Sequence, residues 1–393
     1  MLSENINFKN FNLKKKSKAI EKIFKDIKKK SLEKSDPILN SLTKEYKNSF
    51  SKSQLKKIKK YYFYNLIGMG GSSLGAKGIY SFLREKIKKE FNFIDNIKLK
   101  PIPISKNTLN IIISKSGNTL ETVTNFNTIN KKKNLIFLTE KKNNYLSKIA
   151  NDLKYEIIEH NNFIGGRYSV LSETGMLPAF LMGLNINKFK RLNRLIENKN
   201  FVSILINNVS NILQFHKNGK NNSIILNYDE KSNDFFLWYQ QLVAESLGKK
   251  SKGILPIISS MPRDNHSLMQ LYLDGKKNNF FTFFLVDEKS SNKINNKYLF
   301  KEFSHIKEKK SFDIIKAQFQ ATQNIFKKKK IPFRSILIKK RDETTLGELF
   351  AFFILETIML GRALRINPFD QPQVELVKKE NLKILKSSPK NNF

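Results

Sequence analysis

Segments with the apolar spacing of β-strands alternate with segments spaced as helices through most of this 393-residue chain, and no other feature narrows the fold as much. The alternation begins at Tyr61-Tyr62-Phe63-Tyr64-Asn65-Leu66-Ile67, which reads as a strand and runs into Gly68-Met69-Gly70-Gly71-Ser72-Ser73-Leu74-Gly75. A helix near Ala76–Lys89, a strand over Leu109–Ile113, a helix over Glu121–Ile129, a strand over Leu135–Thr139, another helix and a strand over Tyr155–Ile158 follow. After a helical stretch at Gly175–Asn185 the pattern restarts with strand Ile224–Tyr228, helix Asp234–Leu247, a strand near Ile254–Ile258, a helix opened by His266 and strand Phe280–Val286. Helix Phe312–Lys328, strand Ser335–Ile338, helix Leu346–Leu364 and a last helix from Pro372 complete it. Such alternation builds parallel sheets with right-handed crossovers. The expected architecture is α/β, with two tandem units at 61–200 and 201–393 behind an N-terminal helical segment at 1–60. In that first segment, helical spacing is mixed with lysine runs such as Lys14–Lys16 and Lys28–Lys30. The break between the units falls within 190–220, where no low-complexity linker occurs, so tight packing of the two is expected.

Composition removes several classes of function. The chain has no cysteine, hence no disulfide framework, thiolate nucleophile or cysteine metal site. Its four histidines, His160, His216, His266 and His305, show no metal-ligand spacing, so no metal is expected. No apolar stretch followed by a small-residue cleavage site opens the chain, and a cytoplasmic location is the expectation. The most apolar segment, Leu346–Leu364, is interrupted by Glu348, Glu356 and Arg362 and reads as a buried helix, with no membrane association expected. A formal charge of +38 would ordinarily suggest nucleic acid. Here the lysines are spread along the whole chain and arginine is scarce, whereas a binding stripe clusters its charge and favours the arginine fork. The lysines therefore read as solvated faces, and no specific nucleic acid is expected.

Six stretches carry chemistry. In Ile111-Ile112-Ile113-Ser114-Lys115-Ser116-Gly117-Asn118-Thr119, a buried strand gives way to a turn of hydroxyl, ammonium and glycine groups just before a helix. Backbone N–H groups and the positive end of the helix dipole would point at one spot there, a setting for phosphate. Gly68–Gly75 is a second turn in the same context. It is neither a dinucleotide fingerprint nor an NTP-binding loop: no acidic residue is seen ending the next strand, and no Gly-Lys-Ser/Thr closes the turn. Two such turns on neighbouring parallel strands could converge on one phosphorylated small molecule. In Gly165-Gly166-Arg167-Tyr168-Ser169, glycines let backbone approach a ligand beside a guanidinium suited to an oxyanion. Trp238, Gln241 and Glu245 share one helical face, ahead of Gly248 and Lys249. Glu245 alone reads as a solvent-facing helix residue. His266, in Asp264-Asn265-His266-Ser267, alone reads as structural. Gln371 and Lys378, in Asn367–Lys378, lie two turns apart on one side of the last helix, and Lys378 alone reads as a tail lysine.

In this order, the six stretches resemble one family, the glucose-6-phosphate isomerases, from about Phe63 to Lys378. The resemblance implies two tandem sugar-isomerase (SIS-type) α/β domains, each a mainly parallel sheet flanked by helices. It also implies interconversion of glucose 6-phosphate and fructose 6-phosphate, without cofactor or metal. Gly71, Ser72, Ser114, Lys115, Ser116 and Thr119 match positions that bind the sugar phosphate, and Gly166 and Arg167 match the groups beside C1 and C2. Glu245 matches the base that moves a proton between C2 and C1, and Gln241 and Gln371 match positioning amides. His266 and Lys378 match the pair that opens the sugar ring. In the family that histidine comes from the other subunit, so a homodimer is implied. Ring opening moves a proton between O1 and O5, a task for an imidazole beside a cation, and a carboxylate then carries the C2 proton to C1 through a cis-enediol(ate). The developing charge calls for a fixed cation, the role implied for Arg167. Departures are a short N-terminal part, Met261-Pro262-Arg263 before Asp264, and Gln373 and Val377 where relatives often carry glycine. Alternatives are a broader glucose/mannose 6-phosphate isomerase and a non-catalytic sugar-phosphate-binding protein, the latter expected to have lost its base.

Overall fold

A computed structural model of the chain describes residues 3–11, 17–102, 107–129, 132–288 and 290–387. The Lys14–Lys16 run lies outside the described residues. Among the described residues, ten strands fall into two sheets. In chain order they are β1 (Ile6–Lys9), β2 (Phe63–Ile67), β3 (Glu90–Ile94), β4 (Thr108–Ile113), β5 (Leu135–Thr139), β6 (Ile157–Glu159), β7 (Asn222–Asn227), β8 (Leu255–Ser260), β9 (Asn279–Val286) and β10 (Phe333–Ile338). The first sheet has the order β3-β2-β4-β5-β6 and is parallel throughout. The second has the order β1-β10-β9-β7-β8, parallel except for β1, which runs antiparallel to β10 with Ile6 opposite Ile338. Both are the sheets that strand–helix alternation dictates, and the buried runs Ile111–Ile113 and Leu135–Leu138 are apolar on both faces because helices cover both.

Two strands depart from the sequence expectation. The N-terminal segment is not helical throughout, since Ile6–Lys9 supplies the antiparallel edge of the second sheet. The helix after the first glycine turn stops at Phe82 instead of running to Lys89, and β3 follows at Glu90–Ile94, where no element was expected. With β3 recognised, an acidic residue does follow the next strand: Asp95, whose carboxylate is taken by Lys77 at 2.9 Å. A third difference concerns His266, which closes the 3-10 turn Arg263–Asn265, while the helix proper begins at Met269.

The two sheets share one core. The helix Asn233–Leu247 crosses the helix Leu74–Phe82 so closely that a Cβ on Gly78 would stand 3.0 Å from the Phe235 Cα. Phe235, Trp238, Phe350 and Phe353 form edge-on and tilted ring pairs beside that crossing, 4.7–5.9 Å between centroids. The helix Glu343–Ala363 is long and apolar enough to cross a membrane, yet 94% of its apolar window is buried inside the protein. Two of its carboxylates are held internally: Glu356 by Arg334 and Asn208, and one oxygen of Glu348 by the Ser3 N–H at 3.1 Å. This crossing brings the carboxyl ends of the first sheet against the helix that carries Gln241 and Glu245.

Candidate active site

The turn after β2 and the turn after β4 meet because their strands are neighbours. Gly68 sits between them, since a Cβ there would lie 2.9 Å from the Ile113 carbonyl oxygen and 3.0 Å from the Ser72 Cβ. Ser114 is buried and its hydroxyl is 2.8 Å from that of Thr119, the residue that precedes helix Leu120–Asn127. Gly117 turns the chain with φ +66°, and Asn144 fills the space where a side chain would stand. Ser116 is exposed and accepts from the Asn118 N–H at 3.3 Å. Burial pushes the Lys115 ammonium below the usual lysine range, opposed in part by Glu140, whose carboxylate lies 3.7 Å away. Ser114, Ser116 and Thr119 thus gather their hydroxyls in the turn after β4, with the Lys115 ammonium beside it facing Glu140.

The turn after β2 also touches the Gly165–Ser169 stretch. A Cβ on Gly71 would fall 2.1 Å from the carbonyl carbon of Gly166 and 2.5 Å from the Arg167 nitrogen, so only glycine allows this backbone-to-backbone contact. Gly70, with φ +54°, leaves room for the Gln241 amide. Arg167 follows in the 3-10 turn Gly166–Leu171, only 2% exposed, and its carbonyl accepts from the Trp238 indole at 3.1 Å. All five of its N–H donors are engaged. Nε donates to Ser246 at 2.8 Å, Nη1 to Glu245 at 3.2 Å and Gln371 at 2.6 Å, and Nη2 to the Pro368 and Asp370 carbonyls at 2.7 and 3.0 Å. Glu245 accepts from Gln241 on its other oxygen at 2.9 Å, one helical turn away. Lys249 fixes the far side of the same loop by donating to the Asp370 carboxylate at 2.6 Å, and it holds that carboxyl below its usual range.

Gly71, Ser72, Ser114, Thr119, Gly166, Arg167, Gln241, Glu245 and Gln371 thus form one connected region. Glu245, read from sequence as a solvent-facing helix residue, keeps only part of its side chain exposed and holds a buried guanidinium. His266 and Lys378 are not joined to this region by any contact among the described residues. His266 is exposed beyond Asp264, which is itself held by Ser259, Ser260 and Arg263. Lys378 is exposed and pairs with Glu375 at 2.7 Å on the helix Pro372–Ser387, which has no buried residue. Sequence reading missed Ser246 and the Pro368 and Asp370 carbonyls. Ser246 stands beside Glu245, but carbonyl acceptors carry no side-chain signature. Among the described residues no group of three or more His, Asp or Glu gathers as a metal site.

The sequence profile described as Phosphoglucose isomerase matches residues 64–392. The chain belongs to the phosphoglucose isomerase family. A glucose-6-phosphate isomerase of Methanocaldococcus jannaschii is 32% identical over 348 residues, covering 82% of this chain and 84% of the relative. Another, from Mycoplasmopsis synoviae, is 30% identical over 399 residues, 92% of this chain and 93% of its own length. Among solved structures, a hypothetical protein of Thermus thermophilus superposes with a TM-score of 0.82 at 21% identity, covering 97% of this chain and 99% of that one. A glucose-6-phosphate isomerase of Chlamydia trachomatis superposes at 0.65 and 20% identity, over 86% of this chain and 73% of that one. Family membership and fold therefore agree with the tandem α/β architecture, and the connected region lies where the two halves of that fold meet.

Proposed function

We propose that this member of the phosphoglucose isomerase family interconverts glucose 6-phosphate and fructose 6-phosphate, with Glu245 as the base. The observation that carries the reading is the contact of Glu245 with both Gln241 and Arg167, directly beside the backbone junction of Gly71 and Gly166. The hydroxyls of Ser72, Ser114, Ser116 and Thr119, with the Lys115 ammonium nearby, suit the phosphate. Anchoring there supplies binding energy remote from the reacting carbons and holds a short open chain in register. Glu245 takes the C2 proton and returns it to C1 through a cis-enediolate, while the O2 hydroxyl proton passes to O1, so that the carbonyl moves from C1 to C2. Arg167 lies beside it as a fixed, buried cation for the charge that develops on O1 and O2. Gln371 and Gln241 orient the two ends of the pair. Unlike the core pair of Arg334 and Glu356, Glu245 keeps part of its side chain exposed beside the buried Arg167 guanidinium and so can meet a substrate, which favours the enzyme.

We further infer a homodimer in which His266 serves the site of the other copy, with Lys378 as its cationic neighbour in opening the sugar ring. The exposure of both residues, their separation from the Glu245 region within one copy, and the uncovered helix Pro372–Ser387 support this. Units 61–200 and 201–393 would then act as one body about the shared site. The test is conversion of fructose 6-phosphate by purified protein, reported by a dehydrogenase that oxidises the product, with mannose 6-phosphate run alongside. Turnover of fructose 6-phosphate is expected. Binding of sugar phosphate with no turnover would contradict the reading.

A further inference from the structure

We propose that Tyr168 and Ser246 are positioning residues that aim the Arg167 guanidinium through a closed ring of hydrogen bonds; this rests on Arg167 facing the reacting carbons. The ring runs from Arg167 Nε to Ser246 Oγ at 2.8 Å and from Ser246 to Tyr168 Oη at 2.8 Å. It closes from Tyr168 to the Pro368 carbonyl at 3.0 Å and from that carbonyl back to Arg167 Nη2 at 2.7 Å. Arg167, Tyr168, Ser246 and Pro368 are all buried, so no water competes for these groups.

The protons in the ring can be assigned without ambiguity. The Pro368 carbonyl can only accept, so the Tyr168 hydroxyl donates to it. Tyr168 then offers only a lone pair to Ser246, whose proton must point that way. The lone pair left on Ser246 faces Arg167, whose Nε–H can only donate. Every donor and acceptor is satisfied in one direction only, and reversing any member would leave a buried group unpaired. Two of the three guanidinium nitrogens are thereby fixed, and the third, Nη1, is left pointing at Glu245 and Gln371. The ring joins three stretches far apart in sequence: the Gly165–Ser169 turn, the end of the Glu245 helix and the Asn367–Gln371 loop. Neither hydroxyl is hydrogen-bonded to Glu245 or Gln371. Both act through Arg167, with Tyr168 also packed against Phe369 at 5.6 Å between ring centroids.

Tyr168→Phe keeps that packing and removes one hydroxyl, and Ser246→Ala removes the other. Each should lower kcat for fructose 6-phosphate by about 10- to 100-fold, the scale of a small misplacement of a reacting group. KM should stay within roughly threefold, since the phosphate anchor is untouched. Because both break one ring, the double variant should be little worse than either single one. Unchanged kcat, or losses that multiply in the double variant, would overturn the proposal. A second readout needs no activity: the Arg167 Nε–H resonance, identified by its loss in Arg167→Lys, should exchange slowly with solvent in the wild-type protein. It should exchange fast in Tyr168→Phe. Fast exchange in the wild type overturns the ring even if turnover is normal, whereas slow exchange in a chain inactive on fructose 6-phosphate upholds the ring and sinks the assigned reaction.

Discussion

His160 is buried, with Nδ1 2.9 Å from the Asn161 carbonyl, and burial pushes its pKa from 6.5 down to about 4. Because the fold holds it neutral, unfolding takes up a proton in mildly acid solution. Its contribution to stability is complete above pH 6.5 and is lost as pH falls toward about 4, on the order of 3 kcal/mol for a shift of this size. The expected outcome is a melting temperature that falls across this window in the wild type and less steeply in His160→Gln; equal slopes would contradict it. Legibility also differs residue by residue. Residue type and spacing pointed to Arg167, because an arginine directly after two glycines in a lysine-rich chain stands out. Glu245 was not legible by those means, since a glutamate on an amphipathic helix looks solvated, and only the motif match singled it out. What decides its setting is a guanidinium 78 positions away, which no local pattern encodes.

The elements that carry chemistry are the turns after β2 and β4, and their meeting depends on the lack of a side chain at Gly71. In Gly71→Ala the new methyl would press on the Gly166 backbone, which has no flexible end to move aside. Turnover should fall by at least about 100-fold, because a shift near 1 Å separates Arg167 from the hydroxyl-rich turns proposed to hold the phosphate. Near-normal activity would show that the two turns need not touch. The turns themselves were readable, as donor-rich loops between an apolar strand and a helix. The strands β1 and β3 were not. Ile6–Lys9 has too few residues to show its period and pairs with a partner more than 300 positions away. Glu90–Ile94 follows a helix that ends early at Phe82, and the lysines between them gave no clear stop signal.

For the whole molecule, 72 basic against 34 acidic side chains leave a strongly cationic surface, while the core and site use carboxylates and arginines in closed pairs. The tandem organisation was legible because strand–helix alternation repeats along the chain. The proposed dimer is implied chiefly through resemblance, since an exposed histidine says nothing by itself about a second copy. If His266 serves the partner's site, mixing inactive His266→Asn and Glu245→Gln subunits should restore activity. Random pairing gives about half mixed dimers with one intact site each, so roughly a quarter of wild-type turnover is expected. No recovery after confirmed subunit exchange would place His266 outside the shared site. The claim on which all of this depends is that Glu245 moves the proton between C2 and C1. The most direct measurement is isomerisation in deuterium oxide, following label at those carbons in wild type and Glu245→Gln with sugar-phosphate affinity measured alongside. The wild type should place deuterium at C1 of fructose 6-phosphate and C2 of glucose 6-phosphate, and Glu245→Gln should bind sugar phosphate yet neither isomerise nor exchange. Exchange that persists in Glu245→Gln would contradict the assignment.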